Sequence, residues 1–488
     1  MRTVPRTVFL ASCVFFLACS SGSGTSGSGG AGTGAGTGGF VGSGGASASG
    51  GNGAGGQSTG GSGPGTGGSS TGGASSGGRA GTGGATNGSG GTAGTGGLSG
   101  TGGNAGGGGT RATGGASGAI GSTGGAGTGG SGAGGANIKL GTGGPFSFPQ
   151  GKKSGMCTLP TAATASAAVQ SAYDKWKTAF VSASGSGATG NLRVVRTSDN
   201  NDTVSEGIGY GMLAAVYMAD RTTFDGLWNY AKAHLDAKGL MNWQISSSGT
   251  TIGQGSATDA DEDIAWALLM ASDQWSSATY LSDAKDQINA MLLNEVAADG
   301  MLKPGDGWGP TTVTFPDYFS PAYFRVFAAA TGNSRWTGDI LNRNYEILDK
   351  VSGTNGLVPD RTNSTYQAMG NYSYDACRTP WRIGMDYCFN GEARAKAYLT
   401  KIGTFFDGIG AANIGDGYST SGGMLSSNKN MAFIGPAGVA GMAGYPQLLD
   451  DAFSFGAQNL GDDKYYPQSL KIITMLMMSG NFLDYSRL

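Results

Sequence analysis

The sequence holds one histidine, His234, in 488 residues. That scarcity excludes most histidine-ligated zinc sites and, unless His234 serves alone, Ser-His-Asp hydrolysis. His234 sits in Tyr-Ala-Lys-Ala-His-Leu, an ordinary helical setting. Acidic residues are absent from residues 1–150, which carry five bases: Arg2, Arg6, Arg79, Arg111 and Lys139. All 32 acids therefore fall in residues 151–488 with 25 of the 30 bases. The resulting formal charge of −7 is the wrong sign for a nucleic-acid binder. Long apolar runs are missing too: Thr7 to Ala18 is apolar but too short to span a bilayer.

What stands at the amino terminus is an export signal, two arginines followed by that short apolar run. Leu17-Ala18-Cys19 before Ser20-Ser21-Gly22 resembles a bacterial lipoprotein cleavage site, with Cys19 as the lipidated residue. Leu10-Ala11-Ser12-Cys13 fits the residue pattern better, since Phe16 stands where Leu is usual, but leaves a very short apolar core, which favours Cys19; a plain secretory signal is the alternative. From Ser20 to about Asn137 the chain is almost wholly Gly, Ser, Thr and Ala. Such a composition cannot bury enough apolar surface to offset its ordering entropy. It reads as a disordered tether that holds its cargo about 60 Å from an anchor by random-coil scaling. The domain map is then a signal over 1–19, a linker over 20–150 and a folded domain over 151–488. Any membrane attachment runs through the lipid alone, and the cargo is expected to work as a monomer.

In the folded part apolar residues recur at helical period, and Val/Ile/Thr-rich strands are scarce. The pattern predicts twelve helices, near 164–181, 206–219, 222–236, 262–275, 278–293, 320–332, 335–350, 377–389, 391–406, 428–443, 445–457 and 463–479. Short turns alternate with longer loops, Gly239–Thr258, Asp299–Phe319 and Ser352–Tyr374. The fold class is all-α, a ring of six helical hairpins with its long loops collected at one end. Cys157, Cys377 and Cys388 remain after processing. Cys377 and Cys388 are eleven residues apart on one predicted helix, too far to bond, so buried free thiols are expected.

The chemistry concentrates in carboxylates. Ser256 to Trp275 packs Asp259, Asp261, Glu262 and Asp263 into five residues and continues as an apolar helix. Asp259, Asp261 and Asp263 have the alternation of a calcium loop, but Ile264 and Met270 stand where that loop needs Gly and Glu. For Asp261 and Glu262 a helix-dipole role stays open beside a functional one. Glu206 starts another helix, beside glycines at 207, 209 and 211. Each glycine costs a helix about 1 kcal/mol, and close approach of backbone to a ligand would account for them. Asp375 has Arg378 three residues on, a cation that would keep it ionised. Trp243, Trp308, Tyr318, Tyr323, Tyr374, Tyr465 and Tyr466 are assigned to long loops, and aromatic faces beside carboxylates suit sugar rings. Trp266 and Trp275 read as core.

These segments carry a resemblance. Ala257-Thr258-Asp259-Ala260-Asp261-Glu262-Asp263-Ile264-Ala265-Trp266-Ala267-Leu268-Leu269-Met270-Ala271 resembles the signature of glycoside hydrolase family 8. Ser205-Glu206-Gly207-Ile208-Gly209-Tyr210-Gly211-Met212 and Tyr374-Asp375-Ala376-Cys377-Arg378-Thr379-Pro380-Trp381-Arg382 resemble its two other marked segments, in the family's order. The likeness runs from about 155 to 485 and includes Lys464-Tyr465-Tyr466 and Ser479-Gly480-Asn481-Phe482. It implies an (α/α)6 barrel and an inverting, endo-acting β-1,4-glycanase, cellulase-like before xylanase, lichenase or chitosanase. Glu206 is implied as the general acid, Asp375 as the base and Asp259 as a hydrogen-bond partner of the sugar. Trp243, Trp308, Tyr374, Tyr465 and Arg378 are implied to line the subsites, with Tyr318 near the base. Apolar Ile208 and Met212 would raise the Glu206 pKa, and Arg378 would lower that of Asp375. No metal or cofactor is needed. A non-catalytic carbohydrate-binding surface lipoprotein is the rival from another class.

Overall fold

The computed structural model describes residues 138–162 and 165–488. The signal, Cys19 and the tether up to Asn137 lie outside the described residues. Twelve α-helices follow in order, each within a few residues of its predicted position. They are α1 Ala165–Phe180, α2 Ser205–Tyr217, α3 Arg221–Ala233, α4 Thr258–Gln274, α5 Ala278–Asn294 and α6 Pro321–Thr331. The rest are α7 Leu341–Val351, α8 Thr379–Asn390, α9 Ala393–Ile409, α10 Met431–Gly441, α11 Pro446–Ala457 and α12 Tyr465–Met478.

Burial separates them into two rings. Every residue of α4 and α10 is buried, and so is nearly all of α2, α8 and α12. A helix apolar all round belongs inside, and α10, Met-Ala-Phe-Ile-Gly-Pro-Ala-Gly-Val-Ala-Gly, is of that kind. The odd-numbered helices bury one stripe each; α7, for example, buries Leu341, Asn344, Tyr345, Ile347 and Leu348. Even-numbered helices pack side by side from α12 through α2 to α4 and from α6 through α8 to α10 and α12. Trp266 of α4 stacks on Tyr323 of α6 at 4.3 Å between centroids and closes the ring. This is an (α/α)6 barrel.

Local sequence sets the ends of these helices. Pro321 and Pro380 fall in the first turns of α6 and α8, where no backbone N–H is missed. Gly332 and Gly391 end the same helices in the left-handed conformation. The glycines of α2 answer to neighbouring protein rather than to a ligand, which corrects the expectation. A Cβ on Gly207 would lie 2.8 Å from the Tyr465 hydroxyl, one on Gly209 2.9 Å from Asp263, and one on Gly211 2.7 Å from Leu227. They let α2 press against α12, α4 and α3.

Two further expectations change. Residues 138–150, expected as the end of the linker, run as a strap across the barrel. Thr142 N–H donates to Asp273, Phe146 N–H to Gln274 and Gln150 N–H to Asn481, while Phe146 stacks on Tyr485. Asp273 and Gln274 end α4, so the strap lies at the end of the barrel opposite the start of that helix. Cys157 and Cys388, 231 residues apart in sequence, form a disulfide, and only Cys377 is a buried free thiol among the described residues. The partner of Cys388 was invisible to local spacing because it comes from the strap side of the domain.

Candidate active site

The amino-terminal ends of the inner helices converge on one guanidinium. Arg378 closes a short 3-10 turn, Ala376–Arg378, immediately before α8, and it is 1% exposed. Its Nη1 donates to Glu206 Oε2 at 2.8 Å and to Asp259 Oδ2 at 2.5 Å. Its Nη2 lies 2.5 Å from Asp317 Oδ2 and 3.5 Å from Asp375 Oδ1. The Tyr210 hydroxyl accepts from Nη1 at 3.2 Å, and the Tyr318 ring lies 5.7 Å from the guanidinium carbon. Four carboxylates from four separate segments therefore share one positive charge.

Glu206 is the second residue of α2 and the one residue of that helix with partial exposure. Its Oε1 accepts from the Tyr465 hydroxyl at 3.1 Å. Burial pushes its pKa up to about 7, with Arg378 pulling it down and Asp259 pushing it up. That direction matches the sequence reading. Asp375 does not match it: burial pushes its pKa up to about 7 as well, against the pull of Arg378 and with Asp360, Asp259 and Glu206 adding to the rise. The expected lowering fails because burial outweighs Arg378, which serves four acids and lies farthest from Asp375. Glu206 and Asp375 reach the two ends of one guanidinium. Their nearest oxygens are thus held within the upper limit of about 9.5 Å for an inverting acid–base pair.

Asp317 was missed. It lies in the turn Pro316–Tyr318, fully buried, with its pKa raised well above the ordinary carboxylate range by burial. No motif marks it; the one clue was an Asp beside Tyr318. Asp261 and Glu262 are buried in α4, and burial raises both far above ordinary carboxylates. No side chain caps the start of α4 by a hydrogen bond, so neither residue serves as its cap.

The aromatic residues divide. Tyr318, Tyr323 and Tyr465 are buried, Tyr323 within α6 rather than in a loop, and Tyr465 as the first residue of α12. Tyr466 follows it on α12, half-buried. Trp243, Trp308 and Tyr374 keep partial exposure. Trp243 accepts at its carbonyl from Ser205 N–H at 3.0 Å, next to Glu206. Tyr374 precedes Asp375 and donates its hydroxyl to Asp416 at 2.7 Å. The Trp308 indole donates to the Ser256 carbonyl, three residues before Asp259. A cavity of about 330 Å³ between α7 and α9 shares no residue with this cluster.

An acid cluster at one end of such a barrel, rimmed by half-buried aromatic faces, is the arrangement of a glycan-cleaving enzyme. The description Glycosyl hydrolases family 8 matches residues 146–480, and the chain belongs to that family. It is similar to Endoglucanase 2 of Ruminiclostridium josui, 40% identical over 357 residues, covering 69% of this chain and 75% of that protein. Endoglucanase A of Acetivibrio thermocellus is 38% identical over 369 residues, covering 71% and 76%. Among solved structures, the apo β-1,3-1,4-glucanase from Paenibacillus sp. X4 superposes with a TM-score of 0.63 at 33% identity, over 71% of this chain and 99% of that one. The protein is a glycoside hydrolase.

Proposed function

We propose that this chain is an endo-acting, inverting β-1,4-glucanase in which Glu206 donates the proton, Asp375 activates water and Asp259 binds the sugar at the cleavage point. The observation that carries the reading is the shared guanidinium of Arg378, which brings Glu206, Asp259 and Asp375 to one place. A carboxyl with a pKa near 7 holds its proton at neutrality and can give it to the leaving glycosidic oxygen. As that C–O bond breaks, the water oxygen attacks the anomeric carbon from the opposite face and its proton passes to Asp375. The β-linkage yields an α-anomer. Arg378 keeps its charge throughout and holds the remaining carboxylates in place. Trp243, Trp308, Tyr374 and Tyr465 line the sugar subsites, Arg378 contributes to them and Tyr318 lies near the base.

Names of relatives support a β-glucan substrate, and the Paenibacillus neighbour favours mixed-linkage β-1,3-1,4-glucan as a second reading. The test is reducing-sugar release from carboxymethylcellulose, mixed-linkage glucan, xylan and chitosan by wild type and Glu206→Gln. Release from β-glucans by wild type alone is the expected result; binding without cleavage would favour a non-catalytic module. We further propose export, with Cys19 lipidated and residues 20–137 as a tether. The Cys157–Cys388 disulfide supports an oxidising compartment. Among the described residues no helix is long and apolar enough to cross a membrane. A mass measurement of the processed amino terminus tests the anchor.

A further inference from the structure

The turn that carries Asp375 is held by an acid that makes no contact with Arg378 in the cluster described above. A chain entering a helix leaves backbone N–H groups without partners inside that helix. Two such groups, on Ser373 and Ala376, donate to one oxygen, Oδ1 of Asp360, at 3.1 and 3.0 Å. Ser373 and Ala376 lie on either side of Asp375. A single carboxylate oxygen therefore clamps the segment that bears the Asp375 side chain.

Asp360 is itself fixed, half-buried at the base of a short antiparallel hairpin. In that hairpin Arg361 and Met369 exchange backbone hydrogen bonds at 3.0 and 2.9 Å, and the Asp360 N–H donates to the Asn371 carbonyl at 2.7 Å. Gly370, at φ +96°, brings the returning chain against the carboxylate, where a Cβ would lie 3.3 Å from Asp360 Oδ2. The same turn is tied from its other side. The Tyr374 carbonyl accepts from the Tyr466 hydroxyl at 2.5 Å and from the Cys377 thiol at 3.2 Å.

We propose that Asp360 is a positioning residue for hydrolysis: by anchoring the amides of Ser373 and Ala376 it fixes the Asp375 carboxyl where the attacking water must sit. The role rests on the reading of Asp375 as the base, and Asp360 acts on that base through the backbone. A misplacement of about 1 Å can cost about 10²-fold in rate, so the clamp is worth that much to turnover. Its charge has a second effect. After burial and Arg378, Asp360 is the next influence on the Asp375 carboxyl, and it pushes the pKa up. Burial raises Asp360 too, while the two amides favour its ionised form. Asp375 is faced by Glu206 of α2, Asp259 of α4, Asp317 and Tyr318 of the turn before α6, and Arg378. Asp360 is faced by Arg361, Tyr372 and Cys377. Removing the Asp360 charge lets Asp375 ionise at lower pH.

Asp360→Ala and Asp360→Asn in the full-length enzyme supply the test, with Asp375→Asn beside them. kcat and KM on carboxymethylcellulose are measured at the optimum, kcat/KM is followed from about pH 4 to about pH 9, and the melting temperature reports folding. In Asp360→Ala kcat falls about 10²-fold with KM within about twofold. Asp360→Asn keeps an oxygen for the amides and recovers at least about tenfold of that loss, and its acid limb moves to lower pH by about one unit. Melting temperatures lowered in both variants, with kcat of the folded enzyme and the acid limb unmoved, would overturn the proposal. If Asp360→Ala does not fold, an acid limb of Asp360→Asn at the wild-type position would overturn it. Wild-type turnover in Asp375→Asn would overturn the base reading and this role with it. Lost turnover in Asp375→Asn beside an unimpaired Asp360→Ala would overturn this role alone.

Discussion

Arg378 and Arg382 stand one turn apart at the start of α8, both buried, and they do opposite things with their charge. Arg382 meets Asp263 through both terminal nitrogens, at 2.5 and 2.9 Å, and lies 4.4 Å from the centre of the Trp381 ring. One base faces one acid, and the pair joins α8 to α4. Arg378 faces four acids with the same single charge. Burial raises the Asp263 carboxyl too, but there one guanidinium opposes it through two hydrogen bonds. An unmatched cluster must keep protons on some of its carboxyls, and a carboxyl that keeps its proton at neutrality is what acid catalysis needs. Burial raises the carboxyls of both regions, and what differs between them is how many acids each guanidinium serves.

Substitutions can break that comparison from either side. Glu206→Gln removes the transferable proton while preserving shape, so kcat falls about 10³- to 10⁴-fold with an unchanged melting temperature. Arg378→Lys replaces a two-sided fork by a point charge. Turnover should drop about 10²- to 10³-fold, since the ammonium reaches one side of the cluster only. Arg382→Met acts the other way round, leaving Asp263 buried and unpaired. Chemical denaturation should show a loss of about 3–5 kcal/mol, with kcat of the folded fraction reduced far less than in the Arg378 variant. Cys157→Ser, remote from both arginines, should cost about 2–5 kcal/mol and leave kcat within error. The smallest effect is the pH profile of kcat/KM. On the proposed roles, Asp375 is protonated and cannot act as the base below about 7, and Glu206 loses its proton above about 7. The wild type should therefore give a narrow bell centred near neutrality.

The helices were legible because apolar residues recur at helical period in each, a pattern local to ten or fifteen residues. Glu206, Asp259, Asp375 and Arg378 were legible as candidates because acids crowd at helix starts. Their charge states were not. Asp375 looked like half of an Asp–Arg pair, and the three competitors for that arginine lie 61 to 172 residues away in sequence, at Asp317, Asp259 and Glu206. Distance in sequence also hid Cys157 from Cys388. The glycines of α2 misled for a related reason: close approach was read correctly, but the approaching body was Tyr465, Asp263 and Leu227 rather than a sugar. The strap escaped because residues 138–150, although Ile138, Leu140, Phe146 and Phe148 already break the tether's composition, show no helical or strand period.

On the proposed roles, Arg378 holds Glu206 and Asp375 within reach of one bound sugar as an inverting acid and base. Proton NMR of a β-1,4-glucan oligosaccharide, followed from the first seconds of cleavage, tests it most directly. The enzyme should release the α-anomer first, with the β-anomer growing in later by mutarotation; initial release of the β-anomer would contradict it.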